Sequence, residues 1–321
     1  MYYILFAILY IVYSHCFIVT LSFLFASLYI MGGFVTEEEP IVTLENIYEE
    51  HDALHLDNSE SINTEPEPIP VVPKLVFIVP YRNREAHYKL FSSTMKQILE
   101  NSGPYKILYI HQTDIRSFNR GAMKNIGFLV VKDLYPEDYS NITLVFNDID
   151  TMPAKNTVLN YETVRGNIKH FYGFNYTLGG IVSINAADFE SLNGFPNFWA
   201  WGFEDNMLQM RAKSKGLHID RSVFYKIHDP RITQLTDTPI REVNRDEYER
   251  FIKNTQEGIY SISNLKYTMK EETGFVDVLQ FYTTITENAE KRADYDLRNG
   301  PAPFKDIISK NRRAPKMMMR F

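Results

Sequence analysis

Leu75-Val76-Phe77-Ile78-Val79-Pro80-Tyr81-Arg82-Asn83-Arg84 decides the fold class of this chain. Five apolar residues in a row, ended by Pro80, are the pattern of a buried strand. Behind them Leu90, Phe91, Met95, Ile98 and Leu99 recur at close to helical spacing across residues 85–100. Residues 106–110 read as a second strand, 121–134 as a second helix and 142–146 as a third strand. Strand, helix, strand, helix, strand implies an α/β domain built on a mixed, mostly parallel sheet flanked by helices. Ligands of such sheets bind beyond the carboxyl ends of the strands, so the residues that follow each strand are the candidates.

Toward the N-terminus the character changes. Residues 1–31 are almost wholly apolar, and no Lys or Arg occurs before Lys74. About 20 apolar residues span a bilayer, so this run is expected to be an uncleaved membrane anchor. A cleaved signal peptide would have a basic start and a shorter apolar core. With no nearby basic residue to count, the run does not fix which way the chain faces. Residues 32–73 are acidic and Pro-bearing and keep no period, as expected of an extended stem, which leaves residues 74–321 for the folded domain. The formal charge of −6 excludes nucleic-acid binding through a broad basic surface. Cys16, the single cysteine, excludes an intramolecular disulfide and any multi-cysteine zinc site.

After the first strand, Tyr81, Arg82 and Arg84 offer a ring and two guanidiniums suited to a base and phosphates, although a basic solvated turn would read the same way. After the third strand comes Asn147-Asp148-Ile149-Asp150. In extended backbone residues two apart share a face, so both carboxylates are expected to point into one site and to suit a hard divalent cation. Gly179-Gly180 suggests either a close backbone approach to a ligand or a plain bulge. Asn185 is placed to cap a short helix ending near Gly194, and residues 204–215 read as a helix stopped by Gly216. Residues 217–224 read as a strand leading to His228.

Trp199-Ala200-Trp201-Gly202-Phe203-Glu204-Asp205-Asn206 joins two indoles to two adjacent acids, a combination suited to sugar chemistry. Core packing of the tryptophans and helix-start acids favoured by the helix dipole are the structural alternatives.

Taken together, these residues resemble the β-1,4-galactosyltransferases, the inverting enzymes of glycosyltransferase family 7. The likeness is carried by residues 77–84, Phe118-Asn119-Arg120, Asp148-Ile149-Asp150, Gly179-Gly180, Asn193-Gly194-Phe195-Pro196-Asn197 and residues 199–205, in the family's order. His228-Asp229-Pro230 is most similar to the branch that galactosylates xylose. The resemblance implies a GT-A fold, a UDP-galactose or UDP-GalNAc donor, Mn2+ and a glycan acceptor. It implies donor-binding roles for Pro80, Tyr81, Arg82, Arg84, Phe118, Arg120, Asp148, Ile149 and Trp201. It makes Asp150 and His228 metal ligands, Asp205 the catalytic base with Glu204 beside it, and Trp201, Gly202, Glu204 and Asp205 the acceptor site. Thr177 stands where relatives often carry a Tyr that restricts the donor, so a wider donor choice including UDP-GalNAc is expected.

The chain departs from the family at Asn206, in place of a third acid, and at Tyr225 and Lys226, where a second metal ligand is usual. A membrane-anchored carbohydrate-binding pseudoenzyme is the alternative those departures allow. The family's topology would put the domain in the Golgi or ER lumen, the cytosolic face being the other option. The sequons at Asn141 and Asn175 fall in the expected core region and are expected to be chance occurrences.

Overall fold

A computed structural model describes residues 71–236, 238–300 and 303–304. The expected anchor and nearly all of the expected stem lie outside the described residues. Among the described residues no helix is long and apolar enough to cross a membrane.

The elements run β1 (Leu75–Tyr81), α1 (Glu85–Ile98), β2 (Tyr105–Gln112), α2 (Arg120–Leu134), β3 (Thr143–Asn147), β4 (Thr151–Pro153), β5 (Asn167–Gly173), β6 (Ile181–Asn185), α3 (Ala186–Ser191) and α4 (Glu204–Ser214). They continue with β7 (His218–Asp220), β8 (Tyr225–Lys226), β9 (Ile232–Gln234), β10 (Ile240–Asn244), α5 (Arg245–Ile252), β11 (Ser263–Lys270), β12 (Phe275–Tyr282) and β13 (Arg292–Asp296). The central sheet has the order β11-β12-β2-β1-β3-β6-β5-β7, with β8 also on β5. The run β12-β2-β1-β3 is parallel, as are β7 and β8 on β5, whereas β6 is antiparallel to both its neighbours. The expected mixed, mostly parallel sheet is present.

β1 is the spine of the sheet. Its odd residues Leu75, Phe77 and Val79 pack with Phe91 and Met95 of α1, while its even residues Val76 and Ile78 pack with Ala122, Met123 and Ile126 of α2. Strand alternation therefore distributes one unbroken apolar run over two cores. The strand also runs on through Pro80. Pairing with β3 stops at Ile78, so the missing Pro80 N–H leaves no gap in the ladder on that side.

Two expectations are corrected. Residues 217–224 do not form one strand: β7 ends at Asp220, and Arg221 turns inward to donate to His170 Nδ1 (3.0 Å) and Gln209 Oε1 (2.6 Å). Asn141 and Asn175 are exposed, not part of the core, because each sits in a connection on the surface. The cap expected at Asn185 is present, its side chain accepting from Ala187 N (3.0 Å) and Asp188 N (3.4 Å).

Candidate active site

Asp148, Ile149 and Asp150 occupy a turn between β3 and β4, closed by Thr151 N donating to Asp148 O (3.1 Å). The backbone expected to be extended here is therefore a turn. The two acids stay close enough that Asp148 acts on Asp150. Asp148 faces Lys124 of α2 at 4.0 Å, whereas Asp150 lies in the field of Arg84 and Arg120. Burial pushes the Asp150 carboxyl up to about 6, with Asp148 adding to the push and the two arginines opposing it. Ile149, between them, is buried and anchors the turn in the core.

A hydrogen-bonded scaffold delivers the acids of α4. Asn125 of α2 donates to Phe195 O (2.8 Å) and Asn197 Oδ1 (2.9 Å) and accepts from Phe195 N (2.9 Å), while Asn197 donates to Gly258 O (2.9 Å). At Gly121 a Cβ would lie 1.9 Å from Pro196 O, so only glycine lets α2 approach this loop so closely. The chain then turns through Ala200 (φ 70°), Gly202 (φ 113°) and Phe203 (φ 72°), left-handed conformations that are strained for the two non-glycine residues. Trp199 is core, its ring stacked on Phe281 (5.7 Å) and its indole N–H donating to Ile285 O (3.0 Å). Trp201 is only half-buried, with its backbone N–H on Glu242 O (2.9 Å), and keeps ring surface open. Gly202 is buried beside it.

Glu204 and Asp205 form the first turn of α4, as expected from their sequence context. Glu204 is buried, and the Asp205 side chain is 26% exposed, so it alone of the two reaches toward solvent. Lys124 Nζ donates to Asp205 Oδ1 at 2.9 Å. Burial pushes the Asp205 carboxyl up to about 7, with Lys124 opposing and Glu204 and Asp148 adding. Such a carboxyl is poised for proton transfer near neutral pH. Asn206 is buried behind it.

The opposite wall is the segment 177–180. Leu178 N donates to Asp205 O (3.0 Å), and Asp148 N donates to Gly180 O (3.2 Å), so the two glycines bridge the two acidic segments. Thr177 is buried, its hydroxyl on Phe174 O (3.3 Å). His170 fastens this wall from behind. Carbonyls only accept, so its Nε2–H donates to Gly179 O and Tyr172 O (both 3.0 Å) while Nδ1 accepts from Arg221. The ring is thus neutral, and burial lowers its pKa to about 4.

The expected donor residues divide. Pro80 and the Tyr81 ring are buried, the ring edge-on to Phe275 (5.0 Å) and His111 (5.2 Å), so both shape the floor from below. Arg82 donates to Asp114 O (2.9 Å) and to Arg116 O, bracing the loop ahead of Phe118. Arg120 lies over the Phe118 ring (4.9 Å). Arg84 and Arg120 act on Asp150, and so does Arg241 of β10, which sequence reasoning did not single out. Lys124 was also missed. Its signal was a charge set in the apolar run of a helix that is buried at every position from 121 to 128.

His228 is exposed with φ 68°, and its backbone N–H bonds the Tyr172 hydroxyl, which also feels Asp150 and Asp229. The antiparallel pair β4–β9 clips the two regions together, with Leu235 N on Asp150 O (2.8 Å) and Ala154 N on Arg231 O (2.9 Å). Among the described residues no group of three or more His, Cys, Asp or Glu side chains converges as a metal cage. Tyr225 and Lys226 of β8 add no acidic or imidazole donor. The half-buried Asp150 carboxyl and the exposed His228 ring, on the two segments that β4 and β9 join, are donor types that suit a divalent cation.

The model of the N-terminal region of glycosyl transferase group 7 matches residues 27–162, and that of the N-terminal domain of galactosyltransferase matches residues 162–234. The xylosylprotein 4-beta-galactosyltransferase of Caenorhabditis elegans is 30% identical over 213 residues, which cover 60% of this chain and 71% of that protein. The chain belongs to the group 7 glycosyltransferases. It is accordingly an enzyme of the galactosyltransferase type. Beta-1,4-galactosyltransferase 1 of Bos taurus is 30% identical over 227 residues, 66% of this chain but 54% of that protein. Among solved structures, a mutant Drosophila β-1,4-galactosyltransferase 7 in complex with manganese, UDP-Gal and xylobiose matches with a TM-score of 0.54 and 18% identity, over 67% of this chain and 96% of that one. That likeness is one of fold.

Proposed function

We propose that this enzyme transfers galactose from UDP-galactose to a sugar hydroxyl, forming a β-1,4 linkage with inversion, and that it uses Mn2+. The observation that carries the reading is Asp205, about a quarter exposed at the start of α4 and buried enough to titrate near neutrality. It lies between the segment 177–180 and the half-buried Trp201. Trp201 offers the acceptor ring an aromatic face, with the buried Glu204 behind Asp205 adding negative charge to the site. Asp205 takes the proton of the attacking hydroxyl as the new O–C1 bond forms. The C1–O bond to the diphosphate breaks on the opposite face, which inverts the anomeric centre.

Arg84, Arg120 and Arg241 would hold the diphosphate by charge-assisted bonds. Asp150 and His228 would hold the cation, which when bound supplies positive charge to the leaving diphosphate. Thr177 leaves the donor's 2-position less restricted than a larger ring would, so UDP-GalNAc is a second donor to test. Residues 1–31 as an anchor would place the reaction on a membrane, with glycoconjugates of the secretory lumen as acceptors.

The experiment is UDP release by the purified protein with Mn2+, UDP-galactose or UDP-GalNAc, and acceptors ending in β-xylose or β-GlcNAc. Product linkage is then read by NMR. The Asp205→Asn variant is expected to lose turnover at least 100-fold while still binding UDP. Full turnover by that variant would remove Asp205 from the role of base, and sugar binding without turnover by the wild type would establish a binding protein.

A further inference from the structure

Lys124 lies in the middle of α2 with 2% of its surface exposed, a position that helix periodicity gives to the core. A lysine taken out of water without a partner loses several kcal/mol of hydration and tends to shed its proton. Here the lost hydration is offset by neighbouring acids and the proton stays. Its Nζ is 2.9 Å from Asp205 Oδ1 and 4.0 Å from Asp148 Oδ1, and it lies over the Phe195 ring at 4.6 Å. Burial opposes its charge, but Asp205, Asp148 and Glu204 hold its pKa above the ordinary lysine range. The ammonium is therefore fixed in place and charged.

The other Asp205 oxygen is constrained as well. A Cβ on Gly179 would lie 2.1 Å from Oδ2, so the carboxylate is gripped between the Lys124 ammonium and the Gly179 backbone. Neither grip is on a mobile surface side chain.

We propose that Lys124 is a positioning residue for the catalytic base, holding the Asp205 carboxylate in one orientation and in its ionised form between two neighbouring acids. The proposal rests on the reading of Asp205 as base and adds the group through which that base is set. The charged groups acting on Asp205 are Lys124 from α2, Glu204 from its own helix and Asp148 from the turn after β3. Of these Lys124 alone is cationic. Without it, three carboxylates would share a partly dry site, and the base would keep its proton to higher pH.

The test compares Lys124→Met, which keeps the length of the side chain, with Lys124→Arg, which keeps the charge. In Lys124→Met the acidic limb of kcat/KM is expected to move up by about one pH unit or more. Turnover would then fall about tenfold at pH 6 and recover to within about threefold by pH 9, a one-unit displacement being a tenfold change in ionised base. Lys124→Arg is expected to keep the limb near its wild-type position. A Lys124→Met limb that coincides with the wild type, or an equal loss at every pH shared by both variants, overturns the proposal.

A second measurement does not depend on turnover. Unfolding equilibria of Lys124→Met, Asp205→Asn and the double variant form a cycle in which a coupling of about fivefold or more supports the grip and additivity overturns it. A wild type that transfers no sugar would refute the functional reading while this cycle still decides the pairing.

Discussion

Gly179 presses its Cα so close to the Asp205 carboxylate that a Cβ there would lie 2.1 Å from Oδ2. The contact joins the segment after β5 to the first turn of α4. Gly179→Ala is expected to turn the Asp205 carboxylate away from its present position. Steady-state kinetics should then give a kcat at least about tenfold lower with a donor KM changed much less, since a misplaced base costs chemistry before it costs binding. An unchanged kcat would separate Asp205 from the proton transfer.

The turn before α4 contains strain that one substitution can relieve. Ala200 holds φ 70°, which costs an L-residue about 1 kcal/mol that glycine does not incur. Ala200→Gly is expected to raise stability by up to about 1 kcal/mol, less the backbone entropy glycine loses on folding. Urea unfolding measures it, and a clear drop in the midpoint would contradict it.

His170 ties stability to pH. Its folded pKa of about 4 lies below the ordinary 6.5, so the folded state binds fewer protons than the unfolded chain between those values. This contribution is complete above about pH 6.5 and is lost as the pH falls toward 4, amounting to about 3 kcal/mol at most. The buried ring has no alternative, because protonating Nδ1 would aim a proton at the Arg221 guanidinium. Unfolding midpoints between pH 7 and 4 should fall more steeply for the wild type than for His170→Gln.

On the proposed reading Asp150 and His228 are the metal donors, a sparse set. Chelation with EDTA is expected to abolish turnover and Mn2+ to restore it, while Asp150→Asn should raise the Mn2+ needed for half-activation by about tenfold or more. Lys226, exposed in β8 two residues from His228, places a cation where another donor would help. Lys226→His is expected to lower the Mn2+ requirement. Equal Mn2+ titrations for all three proteins would move the metal elsewhere.

Much of this was legible in the sequence because it lay in single short runs. The apolar run ended by Pro80 gave β1, the spacing of Leu90 to Leu99 gave α1, and Asn185 and Gly216 marked helix ends correctly. Glu204 and Asp205 were found because they adjoin the indoles. Reading failed where tertiary contact overrides local pattern. Asp148 and Asp150 look extended on paper, but they sit in a turn, with Lys124 near the first and three arginines acting on the second. Residues 217–224 have the composition of a strand, yet Arg221 is drawn inward by His170 and Gln209, and the strand breaks there. Arg241 carries no local signal at all, since only the folding of β10 brings it to Asp150.

The ladder β4–β9 has a bearing on how the molecule acquires activity. It pairs Thr151 with Gln234, so it closes a loop of about eighty residues at a corresponding cost in chain entropy. β1 pairs with β2 and β3 across shorter separations, about 30 and 68 residues. Asp150 and His228 would then come into register after those three strands have paired. A chain arrested just short of that step would have native-like secondary structure and a covered core, and it would still be inert. Gain of activity during refolding should therefore lag the recovery of circular dichroism, with the interval reporting the closing of this one short ladder.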